Sequence, residues 1–334
     1  MNLALVGFGN VGRALASLLE EQRADYPFRI TGIHTARHGT AIRRDGLGTN
    51  PEFGPPAPST AEFLDRAGAG VLIEITPLDP AAGEPAISHI RAAFARGMHV
   101  VTANKGPIAH AYAALRDEAA CSGVEFRFES TVMDGTPVFN LMRHTLPGLR
   151  VLGFTGVLNS TTKVVIEAMR HGRSMQEGIA EAQRLGITEA DAAFDLDGWD
   201  SAAKTAALAN VLMDARVTPG QVETRGIGRL TPDRVAELAS KRKAICLVSR
   251  ARRTATGVRL RVRAEVLDER DILAAVHGTS NLLLIHTDLM GTIGTVSISP
   301  GVEQTAYGIF SDLADLLQTS AAETHRVKLT SGRI

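Results

Sequence analysis

The first third of the chain alternates short apolar runs with segments of helical periodicity. Asn2–Val6 is apolar, and the segment 13–21 repeats leucines on one helical face. Further apolar runs lie at 28–34, 71–75, 100–102 and 124–128, with helical patterns that begin near residues 59, 85 and 107. Strands that alternate with helices in this way predict an α/β domain with a parallel sheet of the Rossmann type.

The second half has a different pattern. From 244 to 267, apolar residues alternate with arginines, which predicts strands that bury one face and expose the other. We interpret the arginines as a solvated face, with anion attraction as the alternative. Apolar strands are also predicted at 152–158 and 282–286, and helices at about 174–186 and 305–317. This part is therefore expected to form an α+β unit.

Composition narrows the function. The 334 residues contain 36 Lys plus Arg and 36 Asp plus Glu, and this balance does not favour a nucleic-acid partner. No apolar run approaches the roughly 20 residues of a membrane span. The two cysteines, Cys121 and Cys246, have no metal-ligand or disulfide spacing, which fits a cytoplasmic protein. Cys121 is expected on the buried face of its helix, which disfavours an acylating dehydrogenase with a cysteine nucleophile.

A glycine-rich turn follows the first strand. Its Gly-x-Gly-x-x-Gly pattern, between a strand and a helix, is typical of dinucleotide binding. Gly7 would allow the turn, Gly9 would admit a pyrophosphate, and Gly12 would pack against the sheet. A plain tight turn is the alternative. The predicted cofactor-binding residues here are Gly7, Phe8, Gly9, Asn10, Val11 and Gly12.

The end of the second strand indicates which cofactor is used. No acid stands at 34–38 to hold ribose hydroxyls, and Arg37 is placed to meet a 2′-phosphate. We therefore expect NADP(H), with NAD(H) as the alternative. Arg43 and Arg44 lie downstream, and at least one of them is expected in a solvated loop. Thr76, directly after the strand 71–75, is expected to face the cofactor crevice.

The segment 186–204 is the most acidic part of the chain. It contains five carboxylates and ends at Lys204, four residues after Asp200, so these two side chains share a helical face. Carboxylates beside an ammonium could hold an amino acid. An ordinary surface ion pair is one alternative. A calcium loop is another, but the EF-hand spacing is missing.

Two motifs resemble the homoserine dehydrogenase family. Gly-x-x-Glu-x-Asp followed by Asp-x-x-Gly-x-Asp-x-x-x-Lys, at 186–204, is similar to its substrate segment, and Asn104–Lys105 is similar to a second motif. The resemblance implies reversible, NADPH-dependent reduction of L-aspartate 4-semialdehyde to L-homoserine, a step of threonine and methionine biosynthesis. Two alternatives remain: another NAD(P)-dependent dehydrogenase of a small amino or hydroxy acid, and a non-catalytic NADP sensor.

The resemblance also implies roles for individual residues. Lys204 would donate the proton, Asp200 would orient it, and Lys105 would lie between nicotinamide and substrate; without the resemblance, Lys105 could equally extend into solvent. Implied substrate contacts are Glu189, Asp195, Asp200 and Thr161. Implied cofactor contacts beyond the glycine-rich turn are Lys105, Gly186 and Gly301. A Na⁺ or K⁺ ion is implied at Glu129, Val132, Asp134 and Thr136.

The same resemblance implies the domain organisation. Residues 1–130 would bind the cofactor, 131–304 would bind substrate and form a homodimer, and a helix at 305–318 would pack back on the first domain. No room is expected for the regulatory ACT domain that longer members append. The chain departs from the family pattern at Ser160, Lys163, Val302 and Glu303.

Overall fold

A computed structural model describes residues 1–188 and 191–331 of the chain. Its first sheet contains β1 (Asn2–Val6), β2 (Arg29–Thr35), β3 (Gly39–Ile42), β4 (Val71–Glu74), β5 (His99–Thr102) and β6 (Phe126–Arg127). The strand order is β3-β2-β1-β4-β5-β6, and every pairing is parallel except β2–β3. The predicted Rossmann-type sheet is confirmed.

Helices cover both faces of this sheet. They are α1 (Asn10–Glu21), α2 (Thr60–Ala67), α3 (Ala86–Phe94) and α4 (Lys105–Cys121). Successive residues of β1 enter different cores, because alternate side chains of a strand point to opposite faces. Leu3 and Leu5 pack with α1, while Ala4 and Val6 join the cluster that includes residues of α2, α3 and α4.

The second sheet contains β7 (Val151–Val157), β8 (Glu223–Arg225), β9 (Lys243–Thr254), β10 (Gly257–Asp268), β11 (Asn281–Thr287) and β12 (Thr292–Ser297). Its order is β12-β11-β7-β9-β10-β8, antiparallel except for β10–β8. The helices of this half are α5 (Phe139–Thr145), α6 (Ser160–Arg170), α7 (Met175–Arg184), α8 (Ala193–Leu196), α9 (Trp199–Met213) and α10 (Pro232–Ser240). The expected α+β unit is confirmed.

The predicted arginine-rich segment forms the hairpin of β9 and β10. Leu260 and Val262 are buried, as the alternation predicts. The arginines on the other face are not simply solvated, because Glu265 forms ion pairs with Arg250 and Arg261. One carboxylate therefore neutralises part of the arginine-rich face.

The last helix, α11 (Val302–Ser331), returns to the first sheet. It starts earlier and ends later than predicted. Ile309 and Leu313 are fully buried in the cluster that holds β1 and α1. The proposed division at 130 and 304 stays a prediction, because one hydrophobic cluster runs continuously through α4 and α9. None of the helices among the described residues is long and apolar enough to cross a membrane.

Helix α4 ends at Cys121 as predicted, but its start and the burial of its last residue differ from the prediction. It starts at Lys105 rather than at 107, because the side chain of Asn104 accepts a hydrogen bond from the Gly106 amide (2.9 Å) and so caps the first turn. At the other end, the expectation that Cys121 is buried is wrong. Cys121 is exposed in the last turn, about 24 Å along the helix from Lys105.

Candidate active site

Asn104 fixes the position at which Lys105 leaves the first sheet. Its amide N–H donates to Thr102 Oγ1 (3.0 Å), and its side-chain Nδ2 donates to the Thr76 carbonyl (3.1 Å). These bonds join the carboxyl ends of β4 and β5 to the first turn of α4. Lys105 is thereby the first residue of a capped helix at the edge where Rossmann-type sheets bind ligands.

Asp200 and Lys204 come from the first two turns of α9. Gly198 (φ +89°) starts this helix in a left-handed conformation that favours glycine. Lys204 Nζ lies 3.2 Å from Asp200 Oδ2, and Lys105 Nζ lies 3.0 Å from Asp200 Oδ1. The structure thus brings the three sequence-predicted catalytic residues together, with one ammonium on each carboxylate oxygen.

The electrostatics of this cluster favour the charged forms. Burial opposes ionisation of Asp200, but Lys105 and Lys204 outweigh it and hold the pKa of that carboxyl well below its usual range. Burial likewise disfavours the Lys204 ammonium, yet Asp200 and Asp134 raise its pKa above the ordinary value. Lys204 Nζ also donates to the Leu158 carbonyl (2.8 Å). Lys204 is therefore a protonated, oriented donor.

Asp195 is the centre of a second polar group. It accepts hydrogen bonds from Asn159 Nδ2 (2.6 Å), Thr161 Oγ1 (2.9 Å) and Thr188 Oγ1 (2.9 Å). Thr161, a predicted substrate contact, is thus close to Asp195, and its hydroxyl is bonded to that carboxylate. Glu189, the remaining predicted substrate contact, lies outside the described residues.

Sequence reasoning underestimated Asn159, which links the two carboxylates. Its side-chain Nδ2 donates to Asp200 Oδ2 (2.9 Å) as well as to Asp195, and its Oδ1 accepts from the Thr162 amide (2.8 Å). The sequence signal was an Asn at a strand-to-helix junction, which indicates a helix cap but not which acids it contacts.

Sequence reasoning missed Glu74 altogether. It is fully buried at the end of β4, where it accepts from the Thr76 amide (3.2 Å), the Thr76 hydroxyl and Thr102 Oγ1 (3.2 Å). These bonds fix Thr76, a predicted cofactor contact. A buried acid at a strand end is visible in the sequence, but its partners depend on the adjacent β5.

The glycine-rich turn has the shape of a phosphate cradle. Gly7 has φ +101°, and a Cβ there would lie 2.5 Å from the Ile75 carbonyl oxygen, so a side chain cannot be accommodated. A Cβ on Gly9 would meet nothing within 4 Å, which leaves open space before α1. Gly9 caps α1 without a side-chain hydrogen bond, so the positive end of the helix is available to an anion. The residues fit a dinucleotide.

Three other predicted cofactor residues are solvent-accessible. Arg37 is exposed in the turn between β2 and β3, Gly186 follows α7 with φ +70°, and Gly301 precedes α11. The Gly301 amide donates to Gln304 Oε1 (2.8 Å). What these residues bind stays a prediction.

The predicted cation segment contains one buried acid, Glu129, and one partly buried acid, Asp134. Glu129 accepts hydrogen bonds from the amides of Val138 (2.6 Å), Phe139 (3.0 Å) and Asn140 (2.5 Å), at the start of α5. Burial raises the pKa of Glu129 despite these bonds. Burial also raises the pKa of Asp134, although Lys204 and Lys105 are close enough to oppose the shift.

Comparison with protein families gives the identity of the fold. Residues 137–314 match the family model described as homoserine dehydrogenase, and residues 7–129 match the homoserine dehydrogenase NAD-binding domain. The chain belongs to the homoserine dehydrogenase family. The resemblance of the two motifs is thereby confirmed across both halves of the molecule.

Relatives in this family align over nearly the whole chain. An NAD(+)-dependent homoserine dehydrogenase from Pseudomonas canavaninivorans is 34% identical, covering 95% of this chain and 96% of its own. A homoserine dehydrogenase from Methanocaldococcus jannaschii is also 34% identical, covering 96% of this chain and 99% of its own.

Solved structures have the same architecture. A putative homoserine dehydrogenase from Archaeoglobus fulgidus has a TM-score of 0.84 and 28% identity, covering 95% of this chain and 99% of that one. A hyperthermophilic archaeal homoserine dehydrogenase mutant in complex with NADPH has a TM-score of 0.80 and 26% identity. The match covers 95% of this chain and 98% of that one. Binding of a nicotinamide dinucleotide therefore belongs to the family.

Proposed function

We propose that this protein reversibly reduces L-aspartate 4-semialdehyde to L-homoserine with a nicotinamide dinucleotide. The observation that carries the proposal is the pair of ammonium groups, Lys105 and Lys204, held on the two oxygens of the single buried carboxylate of Asp200. Reduction of an aldehyde develops negative charge on oxygen, and two preorganised cations would stabilise it.

The glycine-rich turn from Gly7 to Gly12 would hold the reduced dinucleotide, which would supply a hydride to the aldehyde carbon and be oxidised in doing so. The carbonyl π bond breaks as a C–H bond forms, and the oxygen takes a proton from Lys204 to become the alcohol. Asp200 keeps both lysines oriented and holds Lys204 protonated until the proton is transferred. In the reverse direction, a deprotonated Lys204 would accept the hydroxyl proton.

Substrate recognition is assigned to the acidic group beside the lysines. Asp195 retains one acceptor site beyond the three hydrogen bonds it receives from the described residues, since a carboxylate offers about four. We assign the substrate ammonium to Asp195 and Glu189, with Thr161 and Thr188 orienting Asp195. Asp200 would contact the reacting end of the substrate through its lysines.

A steady-state assay tests this proposal. Homoserine is supplied with NADP or NAD, and reduced cofactor is followed by absorbance; the expected result is turnover with homoserine and none with L-serine or L-threonine. Turnover of another small amino or hydroxy acid in place of homoserine would favour the alternative dehydrogenase. Cofactor binding without turnover of any substrate would favour a sensor.

For cofactor preference, we propose NADP(H). Its support is Arg37, exposed after β2, together with the absence of an acidic residue at 34–38. The relative from Pseudomonas canavaninivorans is named for NAD(+), and the archaeal structure contains NADPH, so the family includes both. The ratio of kcat/KM for the two cofactors decides the preference.

We further propose that Na⁺ or K⁺ binds at Glu129 with the backbone oxygens of Val132, Asp134 and Thr136. In support, the carboxylate of Glu129 is buried and receives only amide hydrogen bonds from the described residues, so a cation would complete its charge balance. Thermal unfolding in KCl or NaCl against tetramethylammonium chloride tests this; no difference in Tm between salts contradicts it.

A homodimer is also proposed. Strand β12 lies at the edge of the second sheet. Four large apolar side chains at or near its ends are exposed: Leu289, Met290, Val296 and Ile298. Light scattering after size-exclusion chromatography gives the mass directly, and a monomer at micromolar concentration contradicts the proposal.

A further inference from the structure

The turn at Leu158 and Asn159 receives two lysines on consecutive carbonyls. Lys204 Nζ donates to the Leu158 carbonyl (2.8 Å), and Lys163 Nζ donates to the Asn159 carbonyl (3.0 Å) and to Asn281 Oδ1 (3.1 Å). Lys163 is only 7% exposed. A second, buried lysine therefore donates to the carbonyl next to the one that Lys204, the lysine assigned to proton transfer, contacts.

The same turn carries the amide that orders both site carboxylates. Asn159 Nδ2 bonds Asp195 (2.6 Å) and Asp200 (2.9 Å), so a movement of the Asn159 backbone would displace both acids. Lys163 ties this backbone to Asn281 at the start of β11. The hydrogen bonds of Lys163 thus connect the turn at Asn159 to strand β11 of the second sheet.

No carboxylate in the described part of the chain forms an ion pair with Lys163. Several charged and titratable groups surround it: Glu167 and Arg170 on α6, His171 directly after α6, Lys243 and Cys246 on β9, His277 before β11, and, towards the site, Lys204, Asp200 and Asp134. The three cations of this set, Arg170, Lys243 and Lys204, only equal its three carboxylates in number, and none of those carboxylates pairs with Lys163. The positive charge of Lys163 is therefore poorly compensated.

We propose that Lys163 is a positioning residue for the dehydrogenase reaction, because its Nζ holds the turn that presents the Leu158 carbonyl to Lys204 and the Asn159 amide to Asp195 and Asp200. This inference rests on the proposed function. Lys163 acts through the turn and has no contact with substrate assigned to it.

The charge of Lys163 adds a second effect on Lys204. Burial, assisted by the positive charge of Lys204, lowers the pKa of Lys163 to about 7. Both the ammonium and the neutral amine can donate to Asn159 and Asn281, so the hydrogen bonds persist while the charge changes. The charged form repels the Lys204 ammonium and makes Lys204 a stronger acid. Aldehyde reduction should therefore be faster below this pKa than above it.

Three substitutions separate the hydrogen bonds from the charge. Lys163→Met removes both, Lys163→Gln keeps a donor without charge, and Lys163→Arg keeps donors with a permanent charge. For each variant, kcat and KM are measured in the reduction direction from pH 6 to 9.5, with single-turnover cofactor oxidation to isolate the chemical step.

The expected results differ for each variant. Lys163→Met lowers kcat about tenfold or more, because the turn shifts, while KM for the cofactor stays within about twofold. Lys163→Arg restores most of kcat but loses the wild-type inflection near neutral pH. For Lys163→Gln, kcat is expected to be independent of pH and equal to the lower kcat that the wild type shows at alkaline pH. Wild-type kcat with an unchanged inflection in Lys163→Met or Lys163→Arg would overturn the proposal.

Controls keep the outcomes distinct. Lys163 and Lys243 line one cavity of about 220 Å³, and Lys243→Met should leave kcat and the inflection unchanged. If Lys163→Met does not fold, Lys163→Arg and Lys163→Gln decide the matter. A wild-type protein without activity on homoserine refutes the proposed function together with this inference. An active wild type whose Lys163 variants match it refutes the inference alone.

Discussion

Asp200 Oδ1 lies 3.0 Å from Lys105 Nζ, although the two residues come from different halves of the chain. Lys105 starts α4, in the half that forms the first sheet, and Asp200 is in the first turn of α9, in the half that forms the second. The contact requires α4 and α9 to pack against each other, and Asn210, near the end of α9, donates to the Ile108 carbonyl in the first turn of α4 (3.0 Å). This packing gives Asp200 a second cation beyond its helical neighbour Lys204. The site is thus a product of the interface between the two halves.

The first prediction concerns Lys204. We expect Lys204→Ala to lower kcat about a hundredfold or more while the Kd for NADPH is retained, since the variant loses the proton donor but not the cofactor turn. Stopped-flow kinetics and fluorescence titration with NADPH measure the two quantities. Equal loss of cofactor binding would contradict this division of roles.

A matched control for that experiment exists on α10. Lys241 pairs with Glu237 at the same i,i+4 spacing (2.6 Å), but the pair is exposed. Lys241→Ala should leave kcat unchanged, because exposed pairs contribute little and the described residues show no ion pair between this one and Lys105, Asp200 or Lys204.

The two glycines of the cofactor turn should differ in what they control. Gly7→Ala would force a side chain into φ +101° and against the Ile75 carbonyl oxygen, so we expect a loss of stability of about 1–3 kcal/mol. Gly9→Ala meets no protein atom and should stay within about 0.5 kcal/mol of wild type. Chemical denaturation measures both.

Cofactor affinity gives the complementary readout for Gly9. Its added methyl group would occupy the space assigned to the pyrophosphate, and the Kd for the cofactor should rise about tenfold or more. An unchanged Kd in a folded Gly9→Ala protein would place the phosphates elsewhere.

Arg37 should control the choice of cofactor. Arg37→Ala is expected to raise KM for NADP about tenfold, because a charge-assisted hydrogen bond to the 2′-phosphate is lost, and to change KM for NAD by less than about twofold. Arg44→Ala in the exposed loop after β3 is the control, with both KM values unchanged. A parallel rise for NAD and NADP in Arg37→Ala would argue against 2′-phosphate recognition.

Stability should depend on pH through Lys163. Burial lowers its pKa from 10.5 to about 7, so between these values the unfolded chain binds more protons than the folded one. The free energy of unfolding should therefore rise with pH across this window, and the cost of the buried ammonium is fully present below about pH 7.

The measurement is a difference between two proteins. Urea denaturation of wild type and Lys163→Gln at pH 6, 7.5 and 9 cancels the titration of all other groups. The wild type should gain up to about 1.4 kcal/mol per pH unit relative to the variant above pH 7. A difference that is constant with pH would mean that Lys163 stays charged in the folded protein.

Much of the cofactor half could be predicted from sequence, because its signals are local. The apolar runs, the turn at Gly7 and the arginine-bearing end of β2 are each determined by neighbouring residues. The spacing of Asp200 and Lys204 also predicted their shared helical face. The predictions were wrong where a helix cap or terminus determines the local structure. The Asn104 cap starts α4 at Lys105, and Cys121 is exposed because it lies in the last turn of that helix.

Tertiary structure alone decided which of these local elements meet. The sequence determined that the chain has a dinucleotide-type turn, an acidic helix start and two lysines of the family pattern, since each depends on a few adjacent positions. It could not show that Asn159 bridges Asp195 and Asp200, that Glu74 fixes Thr76, or that Lys163 is buried beside Lys204. Those relationships join residues distant in the chain, and they exist only because the packing of two sheets and their helices brings the ends of separate elements together.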